Sequence, residues 1–367
     1  MELTLFQASL PQYFLQFPPG IKNIPLPHPL YNRENFISHS KVNFAQVMER
    51  SIFLLNKLES IKPDMFVTEY YPFGHRESDY ELLPVIKHLI KQKTNMYSSL
   101  GYPFFSQRCL PSLKKILPLY KKIFVHTPAG LEFNYAVKYL KETREKKRYS
   151  EIFRAFNEKI KYTGYVLSFD ENRAANPESI RKKLMIGKKK LILVTRGAGA
   201  YYPKIISNAI MAKRFLKDYI FIIIAGPSTS QEEWRLFINL KRKLRMDNLF
   251  LEKYLVDLVD YLHAADLVIS TAAYNTSVML MYYKKKSIVV PFKGYNGETN
   301  FWEQPARARL LADHIGSRII DYDELSPRLF SKVIKNQLER KLDCSSIDRA
   351  WFKGGENMAR ELKAAIF

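Results

Sequence analysis

The sequence predicts an α/β protein with two doubly wound, Rossmann-like domains. The main evidence is the stretch from Ala264 to Ala312, in which short apolar runs alternate with polar turns and helical patterns. Strand, turn, helix, strand, loop and helix in that order are typical of an open parallel sheet. The length of 367 residues suits two domains. The polar and charged segment 167–189, which separates two such patterns, is the predicted hinge.

Composition places the chain among ordinary globular proteins. Hydrophobic residues make up 47% and charged residues 26%, and no apolar run reaches the roughly 18 residues that a membrane span needs. No secretory signal is visible, and Cys109 and Cys344 are too few for a disulfide framework or a zinc site. We therefore expect a cytoplasmic protein that uses neither a metal nor a cofactor.

The net charge of +22 has three candidate explanations. A lysine-rich solvated surface is the commonest reason for such a charge. Attraction to anionic lipid, or to a lipid-linked acceptor, is the second, and it would place the protein at the inner face of the membrane. Nucleic acid is not expected as a partner, because no recognised binding motif accompanies the charge.

The first domain, predicted over 1–166, offers two candidates for acid/base chemistry. The apolar run MFVTE is a predicted buried strand, and Glu69 and His75 lie at or just beyond its carboxyl end. A carboxylate and a histidine in such a place suit proton transfer near neutral pH. The alternative for Glu69 is a structural role, as a cap of the next helix or a partner of Arg76. His126, after the strand IFV, is interpreted as a structural or cleft-lining residue.

The second domain, predicted over 190–345, begins with a strand and a Gly-bearing turn, LILVTRGAGAYYPK. Gly197 and Gly199 would let the backbone approach a phosphate closely, with a helix N-terminus behind them. Arg196 could add a forked phosphate contact or point to solvent. The next central strand, YIFIIIAGP, brings Gly226 to the same edge of the sheet.

The stretch after the strand LVIS supplies candidates for binding a nucleotide sugar. Asn275 and Thr276 are candidate caps of a helix whose free N–H groups would suit a phosphate. At the head of a later helix, Glu303 and Gln304 place an acid and an amide where they could grip hydroxyl groups. Ligands of open parallel sheets bind beyond the carboxyl ends of the strands. We therefore expect a nucleotide sugar, rather than a bare nucleotide, at this edge.

The order of these motifs resembles a known family. AADLVIS, YNT, VVP and EQPARARLLAD are similar in order to the C-terminal half of GT-B glycosyltransferases, among them the family 28 N-acetylglucosaminyltransferase of peptidoglycan synthesis. TEYYPFGHRESDYELLPVI, IKYTGYV, AGP and WFKGGENMARELKAAI resemble a group of bacterial predicted glycosyltransferases and extend the likeness over essentially the whole chain. The resemblance implies a GT-B-like fold, in which two domains face each other across a cleft and a final helix, predicted within 346–367, crosses back to the first domain.

The resemblance also assigns residues. The donor-binding turn and the donor-sugar positions of the family are matched here by Tyr274, Asn275, Thr276, Glu303, Gln304 and Arg307. The chain departs from the family where Ala272 and Ala273 replace glycines and where Met279 replaces a ribose-binding glutamate, so Met279 is expected to pack in the core. The family also has a first strand and a Gly-rich loop before the segment ELTLFQAS, and this first βα unit is expected to be missing here.

Together these features predict metal-independent transfer of a hexose from a nucleotide-diphosphate sugar, with UDP favoured, to an acceptor hydroxyl. Helix N-termini and Arg196 would stabilise the leaving diphosphate, and Glu69 or His75 would take the acceptor proton. The main alternative is a non-catalytic relative that binds a sugar or nucleotide, or a scaffold. A sugar-nucleotide 2-epimerase, which shares the fold and donor pocket, is the third and would need acids on both faces of the sugar.

Overall fold

The structure is a computed structural model, and it describes residues 2–7, 17–28, 43–73, 78–102, 110–139, 151, 153–170, 176–197, 202–292 and 303–365. Within these residues every strand pairing is parallel, and helices connect most successive strands. The predicted α/β class is confirmed, and among the described strands the reversal of order that marks a doubly wound sheet is seen in the six-stranded sheet of the second domain. In the same ranges, no helix combines the length and the apolar character needed to cross a membrane.

The first domain contains a four-stranded sheet of order β3-β4-β5-β6 and, apart from it, the parallel pair β1-β2. Within the described ranges β1 pairs only with β2, so Leu3–Gln7 does not join the larger sheet. The strands are β1 (Leu3–Gln7), β2 (Ile21–Pro25), β3 (Met65–Glu69), β4 (Asn95–Leu100), β5 (Lys122–Val125) and β6 (Ile160–Tyr162). The helices are α1 (Phe44–Ile61), α2 (Ser78–Lys91), α3 (Leu110–Ile116) and α4 (Leu131–Tyr139).

The second domain is built on a six-stranded sheet of order β12-β11-β10-β7-β8-β9. Its strands are β7 (Leu191–Thr195), β8 (Ile220–Ile224), β9 (Leu249–Glu252), β10 (Leu267–Ser270), β11 (Ser287–Val289) and β12 (Arg318–Ile319). Its helices are α5 (Pro177–Lys183), α6 (Pro203–Ala212), α7 (Gln231–Lys243), α8 (Leu258–Ala264), α9 (Tyr274–Tyr282), α10 (Glu303–Ile315) and α11 (Pro327–Glu339), and α12 (Gly354–Lys363) follows. The strand order reverses direction between β7 and β10, which is where doubly wound sheets bind ligands.

The central strands of this sheet are buried on both faces, which explains why they read as continuous apolar runs. All five residues of β7 are buried. Leu191 and Leu193 pack into one apolar cluster, and Ile192 and Val194 pack into another on the opposite face. Helices therefore cover both sides of the sheet, and only the strand ends remain open for binding.

The two domains are joined where two chain segments cross closely. The Tyr165 amide donates to the Trp351 carbonyl, and the Gly354 amide donates to the Tyr165 carbonyl at 3.0 Å. A side chain at Gly164 would place its Cβ 2.7 Å from the Trp351 oxygen, so only glycine fits there. Beyond this crossing, α12 reaches the first domain, where Glu361 pairs with Lys122 and Lys161.

A buried ion pair fixes α1 against α2. Arg50, with a side chain 0% exposed, donates from Nε and Nη2 to the Glu81 carboxylate, at 3.0 Å each. Its third nitrogen donates to the His28 carbonyl at 3.0 Å, just after β2. The pair therefore also ties the β1-β2 sheet to the helices.

We predict that Glu81→Ala lowers the free energy of unfolding by about 3–5 kcal/mol, because it leaves the Arg50 charge buried without a partner. Chemical denaturation followed by circular dichroism measures this. Glu59→Ala, which removes an exposed carboxylate of α1, is the matched control and should change stability by less than about 0.5 kcal/mol. Equal effects of the two substitutions would contradict the assignment.

Candidate functional site

The carboxyl ends of β7 and β10 lie side by side at the point where the strand order reverses. Helix α9 begins there, directly after β10, and its cap residue is Ala273. Alanine offers no side-chain acceptor, so the first-turn N–H groups of α9 have no side-chain cap. Uncapped N–H groups at a helix start attract anions. The geometry therefore offers an anion site at the predicted edge.

The predicted caps occupy different places. Asn275 and Thr276 lie inside the first turn of α9, so the prediction that they cap the helix is wrong. Asn275 is exposed and Thr276 is buried. Their backbone N–H groups, with that of Tyr274, still belong to the open helix start. The motif thus lies at the candidate anion site, where it offers backbone N–H groups rather than capping side chains.

Two of the predicted glycines adopt left-handed backbone conformations at strand ends. Gly197 has φ +71 after β7, and Gly226 has φ +95 after β8. A Cβ at Gly197 would meet nothing within 4 Å, so the backbone angle, not crowding, favours glycine there. The Gly226 amide already donates to the Lys253 carbonyl at 3.0 Å, and that of Gly197 to the Thr195 hydroxyl at 3.2 Å. Gly199 lies outside the described residues.

Arg196 does not reach the anion site. Its side chain is 0% exposed, and its Nε donates to the Ala225 carbonyl at 2.8 Å. Its Nη2 donates to Thr229 at 3.1 Å and to Glu233 at 3.0 Å. The guanidinium of Arg196 holds β7 and β8 against α7. In this arrangement it therefore contacts neither a phosphate at the strand ends nor the solvent. The prediction of a forked phosphate contact is therefore wrong for this structure.

Arg307 also turns inward, to the boundary between the domains. Its Nη1 donates to the Ala272 carbonyl at 3.0 Å and its Nη2 to Glu303 at 2.7 Å. The guanidinium lies over the rings of Tyr102 and Tyr274, with 4.7 Å and 5.5 Å to the ring centres, which suits a cation. Because the side chain is 0% exposed, Arg307 cannot contact a donor sugar directly in this arrangement.

The carboxylate that faces Arg307 from the first domain is Glu132, in the first turn of α4. It is fully buried, and one of its oxygens lies 3.5 Å from the Arg307 Nε. Burial raises its pKa to about 7, although the Arg307 charge opposes the shift. We did not predict this residue; the signal in the sequence is an acidic residue in the first turn of the helix that follows β5.

Other groups meet around Tyr70 in the cleft. Burial raises the pKa of Tyr70, and the charges acting on it are those of Glu303, Arg307, Glu69 and Glu132. A Cβ at position 101 would stand 2.8 Å from the Tyr70 hydroxyl, so the ring fits because residue 101 is glycine. Glu69, at the end of β3, is exposed, and Glu303 has a side chain 34% exposed. The structure thus brings Glu69 and Glu303 to the same cleft from opposite domains, whereas His75 lies outside the described residues.

Tyr274 links the anion site to the first domain. Its hydroxyl donates to the His126 carbonyl at 2.7 Å. The His126 ring lies between the hydroxyls of Ser99, at 2.8 Å, and Thr163, at 2.9 Å. Burial lowers the pKa of His126 to about 4, so the ring is neutral near physiological pH. This placement agrees with the interpretation of His126 as a structural residue at the cleft.

The remaining predicted residues are used by the fold. The Gln304 side-chain oxygen accepts from the Phe292 amide at 2.9 Å, and this bond anchors α10 to the segment after β11. Met279 is 3% exposed and packs in the apolar core of the second domain, as expected. Among the predicted sugar-binding side chains, Glu303 alone keeps a partly open carboxylate. Within the described ranges, no group of His, Cys, Asp and Glu could hold a metal ion.

Comparison with known proteins agrees with this architecture. Residues 192–354 match the model of the glycosyltransferase family 28 C-terminal domain. The resemblance inferred from the motifs is therefore confirmed for the second domain. No curated protein sequence matches the chain.

Solved structures extend the likeness to the whole fold. MurG of Acinetobacter baumannii is 13% identical with a TM-score of 0.52, over 93% of this chain and 84% of that one. The calicheamicin glycosyltransferase CalG4 is 10% identical with a TM-score of 0.53, over 94% and 86%. The UDP-GlcNAc 2-epimerase of Methanocaldococcus jannaschii, solved with UDP-GlcNAc and UDP, is 13% identical with a TM-score of 0.55, over 99% and 100%. The protein therefore has a GT-B-like fold.

We predict that Glu132 makes stability depend on pH. Its pKa is raised from 4.5 to about 7, so the folded protein holds a proton between those values that the unfolded chain has released. Stability therefore falls as pH rises through this window. Between about pH 4.5 and pH 7 the free energy of unfolding should fall by about 3 kcal/mol more for the wild type than for Glu132→Gln. Denaturant titrations across this range measure the difference.

The control for this prediction is Glu158→Gln, which changes an exposed carboxylate of the same domain. It should keep the slope of the wild type. A Glu132→Gln variant with the same pH dependence as the wild type would show that this carboxylate does not titrate in the window.

Proposed function

We propose that the protein is a glycosyltransferase that moves a hexose from a nucleotide-diphosphate sugar, with UDP favoured, to an acceptor hydroxyl. The observation that carries the proposal is the uncapped start of α9 at the point where the strand order reverses. The family 28 match, which spans this element, supports it.

In the proposed mechanism, the backbone rather than an arginine binds the diphosphate. Arg196 and Arg307 are both committed to protein contacts, so neither carries the charge of the leaving group. The N–H groups of Tyr274, Asn275 and Thr276, with the helix dipole behind them, would stabilise the negative charge that develops as the sugar departs. This stabilisation requires no bound cation.

The sugar and the acceptor would lie between the domains. Glu303 would accept hydrogen bonds from sugar hydroxyls, since part of its carboxylate is open to the cleft. Glu69 would take the proton of the acceptor, because it is an exposed carboxylate at the end of β3 on the opposite wall. His75, close to Glu69 in the sequence, remains the other candidate base.

The donor site can be tested at the cap of α9. Ala273→Asp places a carboxylate at the helix start, where it should stabilise the helix by about 0.5–1 kcal/mol. The same carboxylate should repel a diphosphate and occupy its N–H donors, so the affinity for the nucleotide should fall by about tenfold or more. Calorimetric titration with UDP, GDP, dTDP and their hexose conjugates measures this.

The matched control is Ala273→Gly, which adds no acceptor and should keep most of the affinity. If one nucleotide binds the wild type and Ala273→Asp binds it equally well, the diphosphate does not lie at the start of α9. A folded wild-type protein that binds none of these nucleotides would favour the non-catalytic alternative.

The proposed base is tested separately. Glu69→Gln should abolish hexose transfer while donor binding stays within about twofold, because the amide cannot accept the proton. Asp64→Asn changes an exposed carboxylate just before the amino end of the same strand and should leave transfer unchanged. Turnover of Glu69→Gln at the wild-type rate would remove Glu69 from this role and leave His75 to be tested.

A sugar-nucleotide 2-epimerase is the second candidate. The observation that favours it is that Glu69 of one domain and Glu303 of the other both keep open carboxylates, and both charges act on Tyr70. Acids on both walls of the cleft are what an epimerase would need. Incubation with UDP-GlcNAc and no acceptor distinguishes the two, because an epimerase would form the C2 epimer and a transferase would not.

A further inference from the structure

The edge of the six-stranded sheet opposite the proposed donor site is strongly basic. Parallel strands place all their amino ends at one edge, and the segments that lead into β7, β8, β9 and β11 converge there. These segments, which we call the basic edge, are 181–190, 213–218, 241–247 and 284–286. Their sequences are RKKLMIGKKK, KRFLKD, KRKLRMD and KKK. These four basic segments, which are separate in the sequence, therefore lie at one edge of the sheet.

Backbone hydrogen bonds place neighbouring segments side by side, since the Ile220 amide donates to the Lys190 carbonyl at 2.8 Å and the Phe221 amide donates to the Asn248 carbonyl at 3.0 Å. Burial lowers the pKa of Lys213, and the charges that act on it include Lys189 from one neighbouring segment and Asp247 from another. Burial likewise lowers the pKa of Lys285, which responds to Asp266 and Arg181. Cations of the segment 181–190 thus lie near cations of two other segments, 213–218 and 284–286.

Few carboxylates offset this charge. Asp266, just before β10, is already paired with Arg181 and Lys190 at 3.2 Å each. Asp218 and Asp247 are the acids within the four segments, and the charge of Asp343 lies with that of Lys284 around Cys344. Exposed cations that remain include Lys182, Lys183, Lys188, Lys189, Arg214 and Lys217. A lysine-rich solvated surface does not require these cations to gather at one edge. Their position at one edge therefore favours a docking surface for an anionic partner.

Apolar side chains stand among these cations. Met185 is 88% exposed, at a turn where its own φ is +50, and it is followed by Lys188 and Lys189. Phe215 is 43% exposed in the adjacent connection, which leads into β8. Exposed apolar side chains in lysine-rich segments add nothing to contact with a nucleic-acid backbone, but they suit a bilayer, where they can insert below the headgroups.

We propose that the basic edge docks on an anionic lipid surface, with Met185 and Phe215 entering the headgroup region. The proposed donor site would then point away from the bilayer, because it lies at the other end of strands that are about 15 Å long. The acceptor of a docked protein would accordingly be soluble, or would project from the lipid by at least that distance. Docking is independent of the proposed transfer reaction.

The experiment is co-sedimentation of the full chain with vesicles of phosphatidylcholine, with and without phosphatidylglycerol, at physiological salt. Binding should require phosphatidylglycerol. The double substitution Lys188→Gln and Lys189→Gln should lower vesicle affinity by about 30-fold, from about fivefold for each lysine near the surface. Lys87→Gln with Lys91→Gln, two exposed lysines of α2 in the other domain, is the charge-matched control and should lower it by less than about threefold.

Met185→Ser tests the apolar part without changing the charge. Because Met185 is exposed, the substitution should leave the folding midpoint unchanged, and it should lower vesicle affinity several-fold. The affinity of the Met185→Ser variant for a DNA duplex should equal that of the wild type. Equal losses in the two lysine pairs, no binding to phosphatidylglycerol vesicles, or a Met185→Ser variant that binds vesicles as the wild type does would overturn the proposal.

Discussion

The geometry of the cleft depends on the buried guanidinium of Arg307. It contacts the Ala272 carbonyl in the turn before α9, Glu303 at the start of α10 and Glu132 in the first domain. A buried charge is tolerated only when it is paired and hydrogen-bonded. This one residue therefore fixes the turn, the helix and the facing domain relative to one another. The two walls of the cleft are held by the same interaction.

The turn that Arg307 holds carries local strain. Ala272 has φ +61, a left-handed conformation that costs a residue with a Cβ about 1–2 kcal/mol. Glycine stands at this position in the resembled family, and it would adopt the conformation without that cost. Such strain persists only where the surroundings determine the backbone, and here the Ala272 carbonyl accepts from Arg307 while its Cβ is buried in the core. The hydrogen bond from Arg307 therefore offsets the strain and holds the turn that leads into α9.

The fold could be predicted because its central strands are buried on both faces and its helices are amphipathic. The site was predicted less well, since sequence gives the place of a residue on a strand end but not the direction of its side chain. Arg196 and Arg307 lie at the expected strand and helix ends, yet both turn inward to protein partners. Glu132 was missed because its charge partner, Arg307, comes from the other domain, and Asn275 lies two residues after the cap residue, Ala273, rather than at the cap.

The most direct test of this account is hydrogen exchange, followed by mass spectrometry, with and without whichever nucleotide sugar binds. The account predicts slower exchange in peptides covering 271–277, at the end of β10 and the start of α9, because their amides would bind the diphosphate. Peptides covering 181–190 at the opposite edge should exchange at an unchanged rate. Saturating ligand with no protection in 271–277, or with protection confined to the opposite edge, would contradict the placement of the donor at the start of α9.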